Sequence, residues 1–378
     1  MVKIWNWCKK EAVLSIAMVL AVISAFVIPP DRRAYIAYID FRTLGILFCL
    51  MAVMAGLQGL GVFSYIAEKL LSKVRGVRSL VFILIMLCFF GSMVITNDVA
   101  LITFVPFSFV TLQLMFREKA KALVVPVVVM QTVAANLGSM LTPIGNPQNL
   151  YLFSRTEMGF GAFVWFMTPY TLVAFLLLVI WCITFKFKDD GPTSFLLRSK
   201  TSLSGKGKEL ALYVALFICS LLTVVHVIPY EITTIITLIV ILFMDRTVLK
   251  RVDYTLLLTF VGFFIFIGNM GRVPVFRGLL QQIIQGNEIL TSVVASQFMS
   301  NVPAALLLSG FTDRFDLLII GTNLGGLGTL IASMASLISF KYIGKEYKEL
   351  KGRYFVYFTV VNLIFLAVLA GVSVFVST

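Results

Sequence analysis

The chain alternates long apolar runs with short polar interruptions, and where those interruptions fall predicts the architecture. The apolar run from Ser79 to Phe116 is broken once, at Thr96-Asn97-Asp98. A bilayer core of about 30 Å takes about 20 helical residues, so this run is too long for one crossing. Two half-length helices meeting at Thr96-Asn97-Asp98 fit it, either as a re-entrant hairpin or as two crossings. The broken backbone at such a tip must be satisfied away from lipid, so the tip is expected to line a site. A second interruption follows in Ala122–Phe153, where Asn136-Leu-Gly138-Ser-Met-Leu-Thr142-Pro143-Ile-Gly145-Asn146-Pro147-Gln-Asn149 gathers helix breakers and amides into one broken helix over 122–153.

The second half repeats this order. Gly268-Asn-Met-Gly271 answers Gly56-Leu-Gln-Gly59 at an offset of 212 residues, and Ser300-Asn301-Val302-Pro303 answers Thr96-Asn97-Asp98-Val99 at 204. Asn323-Leu-Gly325-Gly326-Leu-Gly-Thr329 answers Asn136-Leu-Gly138-Ser-Met-Leu-Thr142 at 187. The chain therefore divides into an N-terminal half (1–187; hairpin 79–116, broken helix 122–153), a linker over 188–208, and a C-terminal half (209–378; hairpin 288–312, broken helix 316–343). The expected fold is an all-α polytopic membrane protein of two inverted-topology repeats, with paired re-entrant hairpins and broken helices and about nine crossings. An odd number of crossings between equivalent points inverts the second half. Paired interruptions of this kind point to a secondary transporter whose site lies at the membrane midplane.

Composition and charge fit this picture. Of 378 residues, 60% are hydrophobic and only 13% charged, which excludes a soluble globular domain. The net charge of +13 comes from Lys and Arg gathered into a few loops. Those loops, around Lys73-Arg75-Arg78, Arg117-Lys119-Lys121, the Lys- and Ser-rich linker with Asp189-Asp190, Arg246-Lys250-Arg251 and Lys345-Lys348-Lys351, are expected on one side, the cytoplasmic one. No nucleic-acid partner is expected. Lys3, Lys9 and Lys10 precede the apolar run Ala12–Ile28, which stops at Pro29-Pro30 and resembles a signal peptide without a small-x-small cleavage site; it is read as a retained first helix with a cytoplasmic N-terminus. Four of the five cysteines (Cys49, Cys88, Cys182, Cys219) sit in apolar runs without metal-ligand spacing and read as packing residues. His226 is expected at a helix end.

The half-ends of a broken helix offer N–H groups to an anion and carbonyls to a cation, so both charge signs can be met with few charged side chains. For a small anionic substrate the expected hydrogen-bonding residues are Thr96, Asn97, Thr142, Ser300, Asn301 and Thr329. Asp98 is the one carboxylate expected near mid-membrane, where an ionisable residue is a functional hypothesis. Three roles remain open for it: proton carrier or cation ligand, direct substrate contact, or helix cap. The coupling-ion set comprises Asp98, Asn97, Asn136, Gly138, Asn146, Asn301, Asn323 and Gly325. No cofactor and no metal beyond a coupling sodium ion is expected. Nor does the chain contain a His-Glu-x-x-His motif, a Ser/His arrangement or a nucleotide-binding loop, so an enzyme is not expected.

These motifs resemble the ion transporter superfamily of divalent-anion/sodium symporters, citrate transporters, arsenite permeases and sodium/proton antiporters. The resemblance rests on Asn97-Asp98-Val-Ala100-Leu101 with Pro106, Thr142-Pro143-Ile-Gly145-Asn146-Pro147-Gln-Asn149, Ser300-Asn301-Val-Pro303 and Asn323-Leu-Gly325-Gly326, and spans residues 40–345. It implies a scaffold with a moving transport domain, a multi-pass cell-membrane location, surrounding lipid and a homodimer. The dicarboxylate symporters carry Ser-Asn-Thr at both tips, whereas here the tips read Thr-Asn-Asp and Ser-Asn-Val; the Asn-Asp tip is closer to the arsenite branch. The expected function is transport of a small carboxylate or inorganic oxyanion coupled to sodium or protons. Arsenite or antimonite efflux, or sodium/proton antiport, is the alternative.

Overall fold

The computed structural model describes residues 11–28, 32–72, 74, 76–116, 120–185 and 203–376. The basic residues Lys3, Lys9, Lys10, Lys73, Arg75, Arg117 and Lys119, the Pro29-Pro30 stop and most of the 188–208 linker lie outside the described residues. Among the described residues the chain is helical, with no strand.

In the first half the helices are α1 (Ala12–Val27), α2 (Arg32–Tyr38), α3 (Phe41–Leu60), α4 (Val62–Leu71), α5 (Val77–Ile95), α6 (Asn97–Phe116), α7 (Ala120–Ser139), α8 (Pro147–Arg155) and α9 (Phe160–Thr184). The second half continues with α10 (Gly207–Val224), α11 (Tyr230–Met244), a 3₁₀ turn (Arg246–Arg251), α12 (Tyr254–Met270) and α13 (Pro274–Ile284). It ends with α14 (Glu288–Met299), α15 (Asn301–Leu308), α16 (Phe315–Gly325), α17 (Met334–Glu346), a 3₁₀ turn (Lys348–Leu350) and α18 (Lys351–Val376).

Among the described residues seven helices are long and apolar enough to cross a membrane: α3, α5, α6, α7, α9, α10 and α18. The bent pair α12–α13, which turns by 108°, makes an eighth; α1, α11 and α16 are apolar but shorter. Much of the outer surface is apolar, with Phe26, Trp165 and Phe243 among the exposed side chains. The chain is a multi-pass integral membrane protein.

The first hairpin divides at Thr96, where the sequence breaks, and differs in length from the second. Its arms, α5 and α6, are 19 and 20 residues, each a full membrane thickness, whereas the second hairpin pairs helices of 12 and 8 residues. Local chemistry sets the ends. Asp40 caps α3 by accepting from the Thr43 N–H at 2.9 Å, and Asp253 caps α12 from Leu256 at 2.9 Å. Gly61, at φ 85°, ends α3 in the left-handed region that glycine occupies without penalty. His226 lies in the turn between α10 and α11, as its position beside Pro229 predicted; partial burial, then the Arg42 charge, hold its imidazole below the usual range.

Two helices form the interior. Every residue of α7 from Val124 to Ser139 is buried, as is every residue of α16 from Leu318 to Gly325. α7 packs on α5 and α6, and α16 on α14 and α15. Around this core the outer helices cross between halves: α1 lies on α12, and α10 and α11 lie on α3. Small residues set these crossings. A Cβ on Gly262 would meet the Ala17 backbone at 3.1 Å, one on Gly56 would fall 2.1 Å from the Tyr213 ring, and one on Gly268 2.3 Å from the Tyr38 ring.

Gly56→Ala and Gly268→Ala should each destabilise the protein by about 1–3 kcal/mol, because the rings they face are packed. Gly161→Ala, with nothing within 4 Å of the added Cβ, should leave the melting temperature in detergent unchanged. Equal melting temperatures for all three variants would refute this account of the crossings.

Candidate functional site

At the two helix breaks the backbone is held in the same unusual shape. Thr96 adopts φ 69°, ψ 152° and Ser300 φ 74°, ψ 153°. This region belongs almost entirely to glycine, and holding a side-chain-bearing residue there costs on the order of 1–3 kcal/mol. The surroundings pin it in both places. The Asn97 N–H donates to the Gly145 carbonyl at 3.1 Å and the Asn301 N–H to the Ala332 carbonyl at 2.9 Å, so each tip is tied to the non-helical segment of a broken helix. Gly145 and Ala332 are 187 residues apart, the offset of the Asn136/Asn323 motifs.

The amides between them form a closed network. Asn136 Oδ1 accepts from Asn97 Nδ2 at 3.2 Å and from Ser333 Oγ at 3.0 Å, while its Nδ2 lies 3.4 Å from both the Gly326 carbonyl and Ser336 Oγ. Asn323 is placed in the converse way: its Oδ1 accepts from Asn146 Nδ2 at 3.0 Å and its Nδ2 donates to Asn149 Oδ1 at 2.6 Å. Each central asparagine is thus held by two residues three apart on the other broken segment, Ser333 and Ser336 for Asn136, Asn146 and Asn149 for Asn323. These pairs again correspond at 187. Asn146 also caps α8 by accepting from the Asn149 N–H at 2.9 Å. All these amides are buried, where an unpaired donor or acceptor would cost about 1–3 kcal/mol.

The expected residues separate into three groups. Asn97, Asn136, Asn146 and Asn323 meet in this network; Asn301 and Ser300 adjoin it, since a Cβ on Gly326 would fall 2.9 Å from Asn301 Nδ2. The hydroxyls of Thr142 and Thr329 do not join it, although the Thr142 carbonyl accepts from Asn149 Nδ2 at 3.1 Å. Thr142 Oγ1 donates to the Met93 carbonyl at 2.5 Å and Thr329 Oγ1 to the Gln297 carbonyl at 3.1 Å, so both hydroxyls brace the arm leading to a tip. Gly138 and Gly325 serve close packing: an added Cβ would fall 2.0 Å from the Phe89 carbonyl and 2.5 Å from Ser296 Oγ. Asn149, Ser333, Ser336 and Gln297 were not among the expected residues. Extending the repeat beyond its Asn-Leu-Gly motif would have reached the two serines.

Asp98 takes no part in the amide clasps through its Oδ1. Its N–H donates to Asn97 Oδ1 at 2.9 Å, and it occupies the first turn of α6, where the helix dipole favours negative charge. Its Oδ1 is buried without a hydrogen-bond partner. It lines a cavity of about 150 Å³ together with Gln58, Thr96, Asn146, Arg251 and Asp253. Leu47, Leu50, Ile102, Ile144 and Leu256 close the walls. Arg251, expected simply as a basic-loop residue, and Asp253, on which no expectation was placed, are exposed at its rim.

A polytopic helical protein with two clasped helix breaks and a buried carboxylate beside a small cavity belongs to the class of membrane transporters. Residues 1–313 match the family described as citrate transporter (CitMHS), and the chain belongs to that family. It is 33% identical over 309 residues to the Uncharacterized transporter MJ0456 of Methanocaldococcus jannaschii, covering 80% of this chain and 81% of that protein. Identity to the Inner membrane protein YbiR of Escherichia coli is 29% over 327 residues, 84% of each chain. The Silicon efflux transporter LSI3 of Oryza sativa is 30% identical over 160 residues, 42% of this chain and 32% of that one. The chain is a transporter and not an enzyme.

Asn323→Ala takes the donor from Asn149 Oδ1 and leaves Asn146 Nδ2 with Ser139 Oγ alone, and Asn136→Ala removes the acceptor of both Asn97 Nδ2 and the Ser333 hydroxyl. Each should cost about 1–3 kcal/mol for the stranded groups, read as a lower melting temperature. The double variant of Asn136 and Ser333 should be less destabilised than the sum of the singles; strict additivity would show that the two do not interact.

Proposed function

We propose that this chain is a secondary active transporter of the cell membrane that moves a small anion by alternating access, with Asp98 carrying the coupling proton. The observation that carries this reading is the unpartnered Asp98 oxygen, held at a strained helix tip on the wall of a cavity that reaches Arg251 and Asp253 at its rim. A carboxylate serving only as a helix cap would spend its oxygens on backbone N–H groups, as Asp40 and Asp253 do. The matching tip geometries and the reciprocal Asn136/Asn323 clasps support two inverted repeats with a cytoplasmic N-terminus, in which the short second hairpin re-enters while the 19- and 20-residue arms of the first are long enough to cross. In this reading the amide network and the Thr96, Asn97, Ser300 and Asn301 tips form the substrate and coupling-ion region. Thr142 and Thr329 hold its arms in place, and the transporter works as a homodimer.

Energetics bound the coupling. Moving one elementary charge costs about 2.3 kcal/mol per 100 mV, so importing a dianion against an interior-negative potential costs roughly 4.6 kcal/mol and needs more than two cations to be driven by that potential. Efflux of an anion is assisted instead. The partial likeness to a silicon efflux transporter favours oxyacid efflux, including arsenite or antimonite, as the second reading. Sodium in place of the proton is the coupling alternative.

The test is uptake of labelled citrate, phosphate and arsenite into vesicles holding the purified protein under an imposed pH or sodium gradient. A pH gradient should drive one of them above its equilibrium level. Asp98→Asn should reduce that accumulation at least about tenfold while anion exchange without a gradient persists at lowered affinity, since proton transfer is removed but the amide oxygen still accepts a hydroxyl. Accumulation driven by sodium and unchanged in Asp98→Asn would reject the proton role. Flux that never exceeds equilibrium would reject a transporter in favour of a channel.

A further inference from the structure

Arg251 ends the 3₁₀ turn between α11 and α12, and its side chain lies across α3 at Gly59. Nη1 sits 2.6 Å from the place a Cβ on residue 59 would take, so the guanidinium occupies the space that glycine leaves open. Gly59 thereby acquires a reason that helix packing alone does not supply. From this seat Arg251 lines the same cavity as Asp98, yet it forms no ion pair or hydrogen bond with any described residue through its guanidinium. An unpaired guanidinium and an unpaired carboxylate oxygen therefore share a cavity of about 150 Å³ without closing on each other.

Guanidinium and carboxylate have opposite needs. The first has donors only, and the second, when ionised, accepts only. A ligand that satisfies both must carry an ionised oxygen edge and also a hydroxyl. Resting on the reading of this chain as a small-anion transporter, we infer that Arg251, seated on Gly59, is the anion-binding residue of the Asp98 cavity: it takes the ionised edge of a small oxyanion while Asp98 accepts that ligand's hydroxyl.

Specificity follows from the same arrangement. Dihydrogen phosphate and hydrogencarbonate have both groups. A fully ionised oxyanion such as sulfate brings charge to the guanidinium but faces Asp98 and Asp253 with nothing to donate, and like charges meet. An uncharged polyol or boric acid has hydroxyls but forgoes the charge-assisted pair. Size adds a limit, because cavities that take drug-sized ligands begin at about 300 Å³, whereas a cavity of 150 Å³ takes a molecule the size of benzene.

The test uses the full chain in maltoside micelles free of phospholipid, with unfolding temperature measured against inorganic phosphate at pH 6, sulfate and boric acid. Binding to the folded state raises that temperature by mass action. Phosphate should raise it, and sulfate and boric acid should raise it less. Arg251→Gln should need at least about tenfold more phosphate for the same shift, the worth of one charge-assisted contact, with Arg251→Lys in between. Gly59→Val, which fills the seat while keeping the arginine, should behave like Arg251→Gln. Wild-type phosphate binding in Arg251→Gln, equal shifts by phosphate and sulfate, or no shift by any probe would overturn the assignment. So would stabilisation by added phosphatidylglycerol that Arg251→Gln removes, because Arg251 would then anchor a lipid headgroup. Proton-driven accumulation that survives Arg251→Gln and is lost in Asp98→Asn would reject this inference and leave the coupling role of Asp98 standing.

Discussion

A helix interrupted inside hydrocarbon exposes peptide groups that lipid cannot satisfy, and the whole interior of this protein is arranged around that constraint. The solution is mutual. Each hairpin tip donates its first N–H to the loosened backbone of a broken helix, and each broken helix supplies amide or hydroxyl groups to the asparagine of the other. Asn136 and Asn323 stand at the centre because an amide offers both donors and an acceptor, which no charged side chain does. The network spans both halves and contains no charge, so it is stable in a low dielectric without an ion to balance it.

That arrangement leaves charge to the periphery. Asp98 projects from the other side of the same tip into a cavity bounded by α3, α6, α8 and the start of α12. The amide network can therefore serve as a frame while the carboxylate remains free to change its partner. Position 302, which answers Asp98 in the second hairpin, is valine and buried. The two tips share one backbone geometry but not one chemistry, and only the first carries an ionisable side chain.

Much of this was legible in the chain. The breaks at Thr96, Ser300, Thr142 and Gly326 announce themselves because polar and helix-breaking residues interrupt apolar runs, and the three offsets pair them. The reciprocal clasps follow those offsets, yet the part played by Ser333, just before α17, and Ser336, in its first turn, was missed because an isolated serine signals nothing on its own. The division of the first apolar run at Thr96 was legible too, whereas the run alone left open whether its two arms re-enter or cross. Short surface helices such as α4 and α13 were also unseen, being amphipathic segments beside longer apolar runs. Arg251 looked like an ordinary basic-loop residue, and no expectation was placed on Asp253. Only the approach of the 3₁₀ turn to α3, set by contacts between distant parts of the chain, brings them to the cavity.

The crossed packing of the outer helices bears on how the protein is made. α1 finds its partner in α12, more than 220 residues further along, and Ser24 of α1 receives a hydrogen bond from Asn269 at 3.0 Å. At synthesis rates of 5–20 residues per second that wait is on the order of 10–50 s. For that interval the first helix sits in the bilayer with its small-residue face turned to lipid or to the insertion machinery. The packing site of α1 is filled only by the late arrival of α12, so the first half does not close on its own as it is made.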